Sequence, residues 1–285
     1  MQVLQAHDSL PMFAISDELA PRISALGLER NVREMAEYGC TVIEDVAPPA
    51  FFERLRTAIK RCCAEDKGQY FNITEKGESA DMLLARDPVF AEAVVNDKLL
   101  AMMEYMCGRN PLLSQLSGSV RYQGAKAMPL HADQDWMPAP LPEHNAMMTG
   151  CWYCDDMDEA AGATKVVPGT HLLRRQPGPD EAAAEAGALP LKAPRYSIGL
   201  WDGRLWHANY GRTLPGERVV LHATYCRLAY RPLEDYGHLG SDFIDRWGPT
   251  MEALLGRNLW FGNRAVGNGA VDTSKYMTTW SAARR

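Results

Sequence analysis

Three residues in this chain of 285 have the types and the spacing of a metal site: His131, Asp133 and His207. His131 and Asp133 form an H-x-D, and residues two apart on an extended chain point to the same face, so both side chains can reach one ion. His207 follows the apolar, strand-like run LWDGRLW and precedes a turn-like Asn-Tyr-Gly. Two imidazoles and one carboxylate are the facial ligand set of non-haem iron, which leaves three coordination positions open. The pattern therefore predicts a mononuclear Fe(II) site.

Arg218 stands eleven residues after His207, at the start of the β-like run GERVVLHATYCR. A guanidinium presents a rigid fork of donors that matches a carboxylate, and beside a metal it can hold the far end of a dicarboxylic cosubstrate. The alternative is a surface arginine paired with Glu217 or another acid. The spacing from His207 favours the first interpretation, so the predicted chemistry combines iron with 2-oxoglutarate and dioxygen.

Four other residues are weaker candidates for the metal. His171 in PGTH competes for the third ligand position, but a residue after Pro-Gly is typical of a turn end that hydrogen-bonds its own loop. Asp135 shares the alternation that places Asp133 and is an alternative carboxylate. His144 and His222 are interpreted as a loop residue and a strand residue.

Composition excludes several classes of function. Hydrophobic residues make up 46% of the chain and charged residues 23%, with a formal net charge of -6 and no long run of either sign. Such a chain is an ordinary folded protein without the basic surface that nucleic acids or anionic membranes require, so we expect a small-molecule substrate. The N-terminal residues show no signal-peptide pattern and no segment approaches a membrane-spanning length, which predicts a cytoplasmic protein, monomeric or homodimeric.

The seven cysteines are scattered, which suits buried thiols in a reducing compartment. Cys151 and Cys154 form a C-x-x-C, but they lie in the strand-like run AMMTGCWYCDD. Residues three apart on a strand point to opposite faces, so we do not expect a shared metal or redox pair there.

The elements that must position these residues change along the chain. Helical periodicity is seen from Asp17 to Tyr38 and from Val89 to Met106, and a third helix opens at Pro48 and Pro49. A short apolar strand is expected from Cys40 to Val46. From Leu112 onward, short β-like runs alternate with Gly, Pro and Asp clusters, which favours a β-sandwich, barrel or jelly roll.

This organisation predicts a single domain over residues 1–285. Residues 1–111 would form a mostly helical scaffold, 112–230 the β core, and 231–285 an irregular, aromatic-rich segment that packs back on the core or acts as a lid. The Ala- and Pro-rich insertion between His171 and Tyr196 is predicted to be a surface loop or a short helix.

Four motifs together resemble the phytanoyl-CoA dioxygenase (PhyH-like) family of 2-oxoglutarate oxygenases: HAD at 131–133, GATKVVPGTH at 162–171, the Trp-His pair at 206–207, and Arg218. The resemblance covers roughly Glu37 to Tyr230. It implies a mainly β fold with flanking helices around a double-stranded β-helix, a jelly-roll or cupin-like core with the metal at the mouth of the barrel.

The resemblance also implies which residues hold the cosubstrate. Arg218 would neutralise the 5-carboxylate of 2-oxoglutarate, with Thr164 and a glutamine before the H-x-D, Gln123 or Gln115, helping to hold it. Gln123 is preferred because it lies on the run that leads directly into the metal loop. Arg121 and Lys126 are nearby alternatives for the same carboxylates.

The expected reaction is hydroxylation of a small or medium, largely apolar metabolite, with release of succinate and CO2. Aromatic residues near the ligand loop and the lack of charge patches suggest the apolar substrate, and Trp136, Gln134 and Trp152 are the predicted substrate contacts. Specificity is expected in loops 69–84 and 134–144 and in the C-terminal segment.

Other outcomes remain open within and outside this class. The same oxidant could serve desaturation, epoxidation or rearrangement, whereas halogenation is disfavoured because related halogenases have a small residue where this chain has Asp133. The same ligands could hold zinc in a hydrolase, but Arg218 and Thr164 would then have no clear task. An inactive jelly-roll binding protein is disfavoured by the intact ligand set.

Overall fold

The computed structural model describes residues 15–16, 18–67 and 76–257, together with the backbone of two short strands at 265–266 and 270–271. The first part of the predicted specificity loop and four tail aromatics, Trp260, Phe261, Tyr276 and Trp280, lie outside the described residues. In the part of the chain that is described, no helix is long and apolar enough to cross a membrane.

Two antiparallel sheets form the centre of the molecule. The larger sheet has six strands in the order β1-β7-β4-β9-β3-β2, and the smaller has three in the order β6-β5-β8. The strands of these two sheets are β1 (Cys40–Ile43), β2 (Gly77–Ala80), β3 (Leu112–Tyr122), β4 (Met147–Tyr153), β5 (Thr164–Val166), β6 (Leu189–Pro190), β7 (Ser197–Asp202), β8 (His207–Asn209) and β9 (Glu217–Cys226). Two further strands, β10 (Ala265–Val266) and β11 (Ala270–Val271), pair with each other in a separate sheet.

The inner face of the larger sheet is polar where it meets the smaller sheet. A register shift between Leu113 and Gln115 precedes the long pairing of β3 with β9, in which Gln115 faces Thr224 and Ser117 faces His222. Since side chains alternate along a strand, the intervening residues of β3 and β9 point outward and pack under the helices. This jelly-roll arrangement confirms the predicted fold class.

Helices cover the outer face of the larger sheet. They are α1 (Ala20–Ala25), α2 (Glu29–Tyr38), α3 (Pro49–Glu65), α4 (Pro88–Val94), α5 (Asp97–Cys107) and α7 (Ser241–Leu254). The remaining helix, α6 (Pro179–Ala184), packs elsewhere, through Ala182 against a separate hydrophobic cluster around Val167 and Trp206. The main hydrophobic core lies between this layer and the sheet. Gly150 on β4 permits the close approach of α5, because a Cβ at this position would lie 2.7 Å from Cδ1 of Leu99.

Both long helices expected in the first third are broken. The first is interrupted at Gly27, whose positive φ of 68° ends α1. The second is interrupted at Asn96, whose side chain accepts a hydrogen bond from the backbone N–H of Leu99 at 3.1 Å and so begins α5. These local signals end a helix even though the apolar spacing continues across them.

Residues 1–111 are more than a helical scaffold, because they supply both edges of the larger sheet: β1 pairs with β7, and β2 pairs with β3. The segment after Tyr230 was predicted to be irregular, but it contains α7. Met251 and Leu254 of α7 lie in the main core. The insertion before Tyr196 contains α6 and β6.

Candidate metal centre

The two histidines of the predicted triad are held opposite each other by their own backbones. The N–H of His131 donates to the carbonyl of His207 at 2.9 Å, and the N–H of His207 donates to the carbonyl of His131 at 2.7 Å. This reciprocal pair joins the metal loop to β8 at the edge of the smaller sheet, and the imidazole centroids lie 4.5 Å apart.

Each histidine uses Nδ1 in the same way. Nδ1 of His131 lies 2.9 Å from the carbonyl oxygen of Pro129, and Nδ1 of His207 lies 2.9 Å from that of Leu205. With a proton on Nδ1, each ring donates to a carbonyl two residues earlier and presents an unprotonated Nε2 to a metal.

Asp133 completes the set from the loop after His131. Its Oδ1 lies 3.3 Å from Nε2 of His207 and 3.7 Å from Nε2 of His131. Its Oδ2 accepts a hydrogen bond from the indole Nε1 of Trp201 at 3.2 Å. Burial acts to raise the pKa of Asp133, but the two imidazoles outweigh it and hold that pKa well below its usual range. Asp133 is therefore a carboxylate with one oxygen fixed by an indole and the other turned toward both imidazoles.

This donor set fits a metal ion. The three ligand atoms lie within 4.8 Å of one another, and they form the one such cluster of histidine, cysteine and acidic side chains in the described ranges. Two imidazole nitrogens and one carboxylate oxygen suit Fe(II), and all three side chains line the cavity described below. The competing ligands lie elsewhere: His171 is buried in a 3-10 turn with Nε2 3.3 Å from the carbonyl of Ala36, and Asp135 lines the cavity outside the cluster.

A cavity of about 650 Å³ opens onto the triad. Trp136 lies at its mouth, 53% exposed, with its ring 6.1 Å from that of Tyr230. The wall opposite the metal is formed by β2, β3, β4 and β9 and is mostly polar. Its side chains include Ser79, Asp81, Gln115, Ser117, Ser119, Arg121, Thr149, His222 and Thr224.

The end of the barrel interior below the metal carries Arg218, Thr164 and Tyr153. Arg218 is 2% exposed and lies behind the cavity wall, where one Nη donates to the carbonyl of Gly162, just before β5. Its Nε has no hydrogen-bond partner among the described residues. The hydroxyl of Tyr153 is also buried and points toward Thr164 without completing a hydrogen bond. Unpaired buried donors call for an explanation, and an anion bound at this end of the barrel would supply one.

Thr164 also has the right position along the sheet. It pairs with Asn209, two residues beyond His207 on β8. Two residues along a strand span about 7 Å, which is comparable to the length of an extended five-carbon dicarboxylate. A 2-oxoglutarate chelated at the triad would therefore reach Thr164 and the arginine behind it, so the residues present fit this cosubstrate.

Two residues predicted to hold the cosubstrate, Gln123 and the alternative Lys126, do not line the cavity. Gln123 lies beyond the end of β3, exposed, with its amide donating to the carbonyl of Thr213 at 3.0 Å. The turn at Gly124, with φ of 88°, directs this part of the chain away from the barrel interior. Gln115, the alternative to Gln123, does line the cavity, whereas Lys126 is exposed outside it.

Gln134 and Trp152 are structural residues. The side chain of Gln134 is fully buried and accepts a hydrogen bond from the backbone N–H of Ala146 at 2.8 Å. Trp152 points from β4 into the main core, where its ring lies 5.2 Å from that of Phe51. Thr149 has the opposite parity on β4 and faces the cavity.

The alternation on β4 also separates the two cysteines of the C-x-x-C. Cys151 lies in the inner hydrophobic cluster, whereas Cys154 lies in the main core under the helices. Both are free thiols, as predicted.

Two residues at the site were not predicted from the sequence. The bond from Trp201 to Asp133 joins residues 68 apart in sequence. Tyr153 was not considered at all. For Tyr153, the alternation of side chains along β4 was the available signal, because any inner-facing residue of a strand beside the metal is a candidate contact.

The fold is shared with solved structures of low sequence identity. HygX from Streptomyces hygroscopicus, crystallised with nickel, 2-oxoglutarate and hygromycin B, superposes with a TM-score of 0.61 at 15% identity, over 75% of this chain and 93% of HygX. EctD from S. alaskensis with bound Fe gives a TM-score of 0.59 at 17% identity, over 72% of this chain and 79% of EctD.

Sequence comparison gives nearer relatives. Dioxygenase af480 of Aspergillus fumigatus is 28% identical over 172 residues, which are 59% of this chain and 55% of that protein. The uncharacterized protein Mb1539 of Mycobacterium bovis is 28% identical over 132 residues, 46% of each chain. The matches thus span about half the length of these relatives.

The phytanoyl-CoA dioxygenase (PhyH) family pattern matches residues 35–218, from α2 to the buried arginine at the start of β9. Fe(II), 2-oxoglutarate and dioxygen are the metal and cosubstrates that this family uses. This match covers more than half of the chain and includes His131, Asp133 and His207, so the chain belongs to the phytanoyl-CoA dioxygenase family.

Proposed function

We propose that this protein is an Fe(II)- and 2-oxoglutarate-dependent dioxygenase that hydroxylates a small or medium metabolite. The observation that carries the proposal is the combination of a His-Asp-His set with a buried arginine that is bonded to the carbonyl of Gly162, two residues before the cavity residue Thr164. The triad alone is consistent with several metals and reactions. The Nε of Arg218 is buried without a hydrogen-bond partner among the described residues, and this adds the demand for an anion.

The side chains divide the work by position. His131, Asp133 and His207 would hold Fe(II), Arg218 would pair with the 5-carboxylate of 2-oxoglutarate, and Thr164 would donate its hydroxyl to the same group. The bound metal and cosubstrates supply the oxidising chemistry, while the protein supplies position and protection from water. Trp201 keeps the Asp133 carboxylate turned toward the imidazoles.

A zinc hydrolase built on the same ligands is the alternative from another class. Zinc with three protein ligands and one water polarises a carbonyl, and needs no second anion site behind the metal. A buried arginine with unsatisfied donors would then have a cost and no role. The cosubstrate end of the cavity therefore favours the oxygenase.

The expectation of a largely apolar substrate is not confirmed. Most side chains on the wall opposite the metal carry a hydroxyl, an amide, an imidazole or a carboxylate. Asp81 on this wall has a raised pKa because burial disfavours its charge, with the nearby Asp66 adding to the effect. We propose a substrate with several hydrogen-bonding groups, placed so that an unactivated C–H faces the metal. Desaturation, epoxidation and rearrangement remain alternative outcomes of the same site.

Anaerobic titration with Fe(II) and 2-oxoglutarate, followed by exposure to oxygen and a succinate assay, tests the class. We expect metal-dependent binding of 2-oxoglutarate and slow, uncoupled succinate release. Asp133→Ala should abolish both the metal binding and the succinate. Zinc-dependent hydrolysis of ester or amide probes, with no affinity for 2-oxoglutarate, would identify the hydrolase instead.

A further inference from the structure

A second buried arginine lies directly opposite Arg218. Arg121 on β3 and Arg218 on β9 are cross-strand partners, and both side chains face the barrel interior. Arg121 is 7% exposed and lines the cavity beside Thr164, whereas Arg218 lies behind the wall. Side chains directly opposite in an antiparallel pair have Cβ atoms about 5 Å apart. The two guanidinium groups therefore share one end of the barrel interior.

Neither arginine is paired with an acid of the described residues. Arg121 donates to the carbonyl of Lys126 at 3.3 Å and to the sulfur of Met128 at 3.4 Å, and neither acceptor carries a counter-charge. Asp155 is the carboxylate whose charge reaches Arg218, and it is paired with Arg56. Burying two like charges side by side is unfavourable, so a protein that keeps them has a use for the pair.

The surroundings show that this positive charge is uncompensated. Burial and then the charge of Arg218 lower the pKa of Arg121 to about 10. His222 lies four residues further along β9, on the same face as Arg218, and its pKa is lowered to about 3 by burial and then by both arginines. A neutral His222 beside two cations describes a pocket end that favours an anion.

We infer that Arg121 and Arg218 together clamp the 5-carboxylate of 2-oxoglutarate, with Arg121 as a second positioning residue that makes the enzyme selective for a dicarboxylic cosubstrate. This inference rests on the proposed function. Arg218 would approach the carboxylate from behind and Arg121 from the cavity side, with Thr164 between them. Arg121 thereby also forms the wall between the cosubstrate and the substrate part of the cavity.

The test compares two ligands that differ only at the far end. 2-Oxoglutarate and 2-oxopentanoate chelate a metal identically, but the second has a methyl group in place of the 5-carboxylate. Calorimetric titrations into the Fe(II)-loaded protein under anaerobic conditions give both affinities. Arg121→Gln should weaken 2-oxoglutarate binding about tenfold or more, the scale of a charge-assisted bond, and leave the 2-oxopentanoate affinity unchanged.

Thermal stability without ligand provides a second measurement, in which Arg121→Gln should show no loss although its 2-oxoglutarate affinity falls. Removing an unpaired buried charge should leave the ligand-free Arg121→Gln protein at least as stable as the wild type, while 2-oxoglutarate raises its melting temperature less. Arg121→Lys keeps the charge but loses the planar fork of donors, so its 2-oxoglutarate affinity should lie between those of the wild type and Arg121→Gln. Lys126→Gln is the matched control, because it removes a nearby exposed charge and should change neither affinity.

The outcomes separate this inference from the proposed function. If the wild type binds no 2-oxoglutarate, the proposed function fails. If Arg218→Gln weakens 2-oxoglutarate but Arg121→Gln does not, only the clamp is wrong. Equal weakening of both ligands by Arg121→Gln would mean that Arg121 supports the metal loop or the fold, and would also overturn the clamp.

Discussion

At the scale of single residues, the metal centre depends on hydrogen bonds that leave one ligand atom free on each side chain. Nδ1 of each imidazole is bonded to a backbone carbonyl, and Oδ2 of Asp133 accepts a hydrogen bond from the indole of Trp201. These second contacts restrict how each ligand can rotate, and such contacts commonly contribute 10- to 100-fold to metal affinity. The consequence is most easily tested at Trp201.

Trp201→Phe removes the indole N–H and keeps most of the aromatic volume. We expect Fe(II) affinity to fall about 10-fold or more, because the Asp133 carboxylate loses the bond that orients it. Trp152→Phe is the control, since Trp152 lies in the main core and should affect stability and not metal affinity. Competition with a chelator measures both; equal metal affinities in the two variants would contradict the role of Trp201.

Tyr153→Phe removes a single hydroxyl from the cosubstrate end. The hydroxyl has no hydrogen-bond partner among the described residues, so its loss should not reduce stability, but the substitution should weaken 2-oxoglutarate binding about 5-fold, the scale of one buried hydrogen bond. Titration with 2-oxoglutarate and 2-oxopentanoate checks the assignment. A stability loss with unchanged affinity would assign Tyr153 to packing alone.

The sequence was informative at this scale where the pattern was local. The H-x-D alternation and the eleven-residue spacing to Arg218 indicated residues that the structure places around one cavity. Gln123 was misplaced because the strand ends one residue before it, and the turn at Gly124 then reverses the local direction. The contact of Trp201 with Asp133 and the pairing of Arg121 with Arg218 join segments that are far apart in sequence. Such contacts are not visible in a single sequence.

At the scale of elements, the turn between β7 and β8 is held by a buried ion pair. Oδ2 of Asp202 accepts from Nη2 of Arg204 at 2.7 Å and Oδ1 from Nε at 3.0 Å, with both residues at most 1% exposed. Arg204 also donates to the carbonyls of Pro142 and Glu143, which ties this turn to the loop before β4. The pair therefore positions the start of β8, and with it His207.

Asp202→Asn should destabilise the protein by about 3 to 5 kcal/mol at neutral pH, because it leaves a buried cation without its counter-charge. Burial opposes ionisation of Asp202, but the charge and hydrogen bonds of Arg204 prevail and lower its pKa below the usual 3.8. The stabilisation is thus present above that value and lost as pH falls. Urea unfolding should show the wild type and the variant converging below about pH 4; a constant difference across pH would contradict this account.

Gly150→Ala tests the packing of α5 on β4. The added methyl would meet Leu99 at 2.7 Å and Leu200 at 3.2 Å inside a filled core, so we expect a loss of about 1 to 3 kcal/mol. Gly240→Ala is the matched control, because a methyl there meets nothing within 4 Å. Equal stability of the two variants in urea unfolding would show that the helix layer adjusts freely.

At the scale of the whole molecule, we propose that the described parts form one domain. The first third contributes two edge strands to the sheet of the β core, and α7 returns to the same hydrophobic core. Fold class followed from short strands with turn punctuation. The contribution of β1 and β2 to the sheet could not be predicted from the sequence, because their pairing with β7 and β3 joins segments far apart in sequence.

A single domain should unfold in one transition. We expect the calorimetric and van't Hoff enthalpies to agree, and metal with 2-oxoglutarate to raise the transition temperature without splitting it. Two transitions, with only the later one responding to ligand, would instead indicate a separable N-terminal unit.

The indole of Trp201 has a further use. Its nitrogen is bonded to a metal ligand and its ring lies 5.3 Å from that of His207, so the protein carries a native fluorophore in contact with two of the three metal ligands. Occupation of the site by an open-shell ion should quench the emission of this one indole among seven. Metal loading could then be followed optically, in the absence of any substrate and before a single turnover.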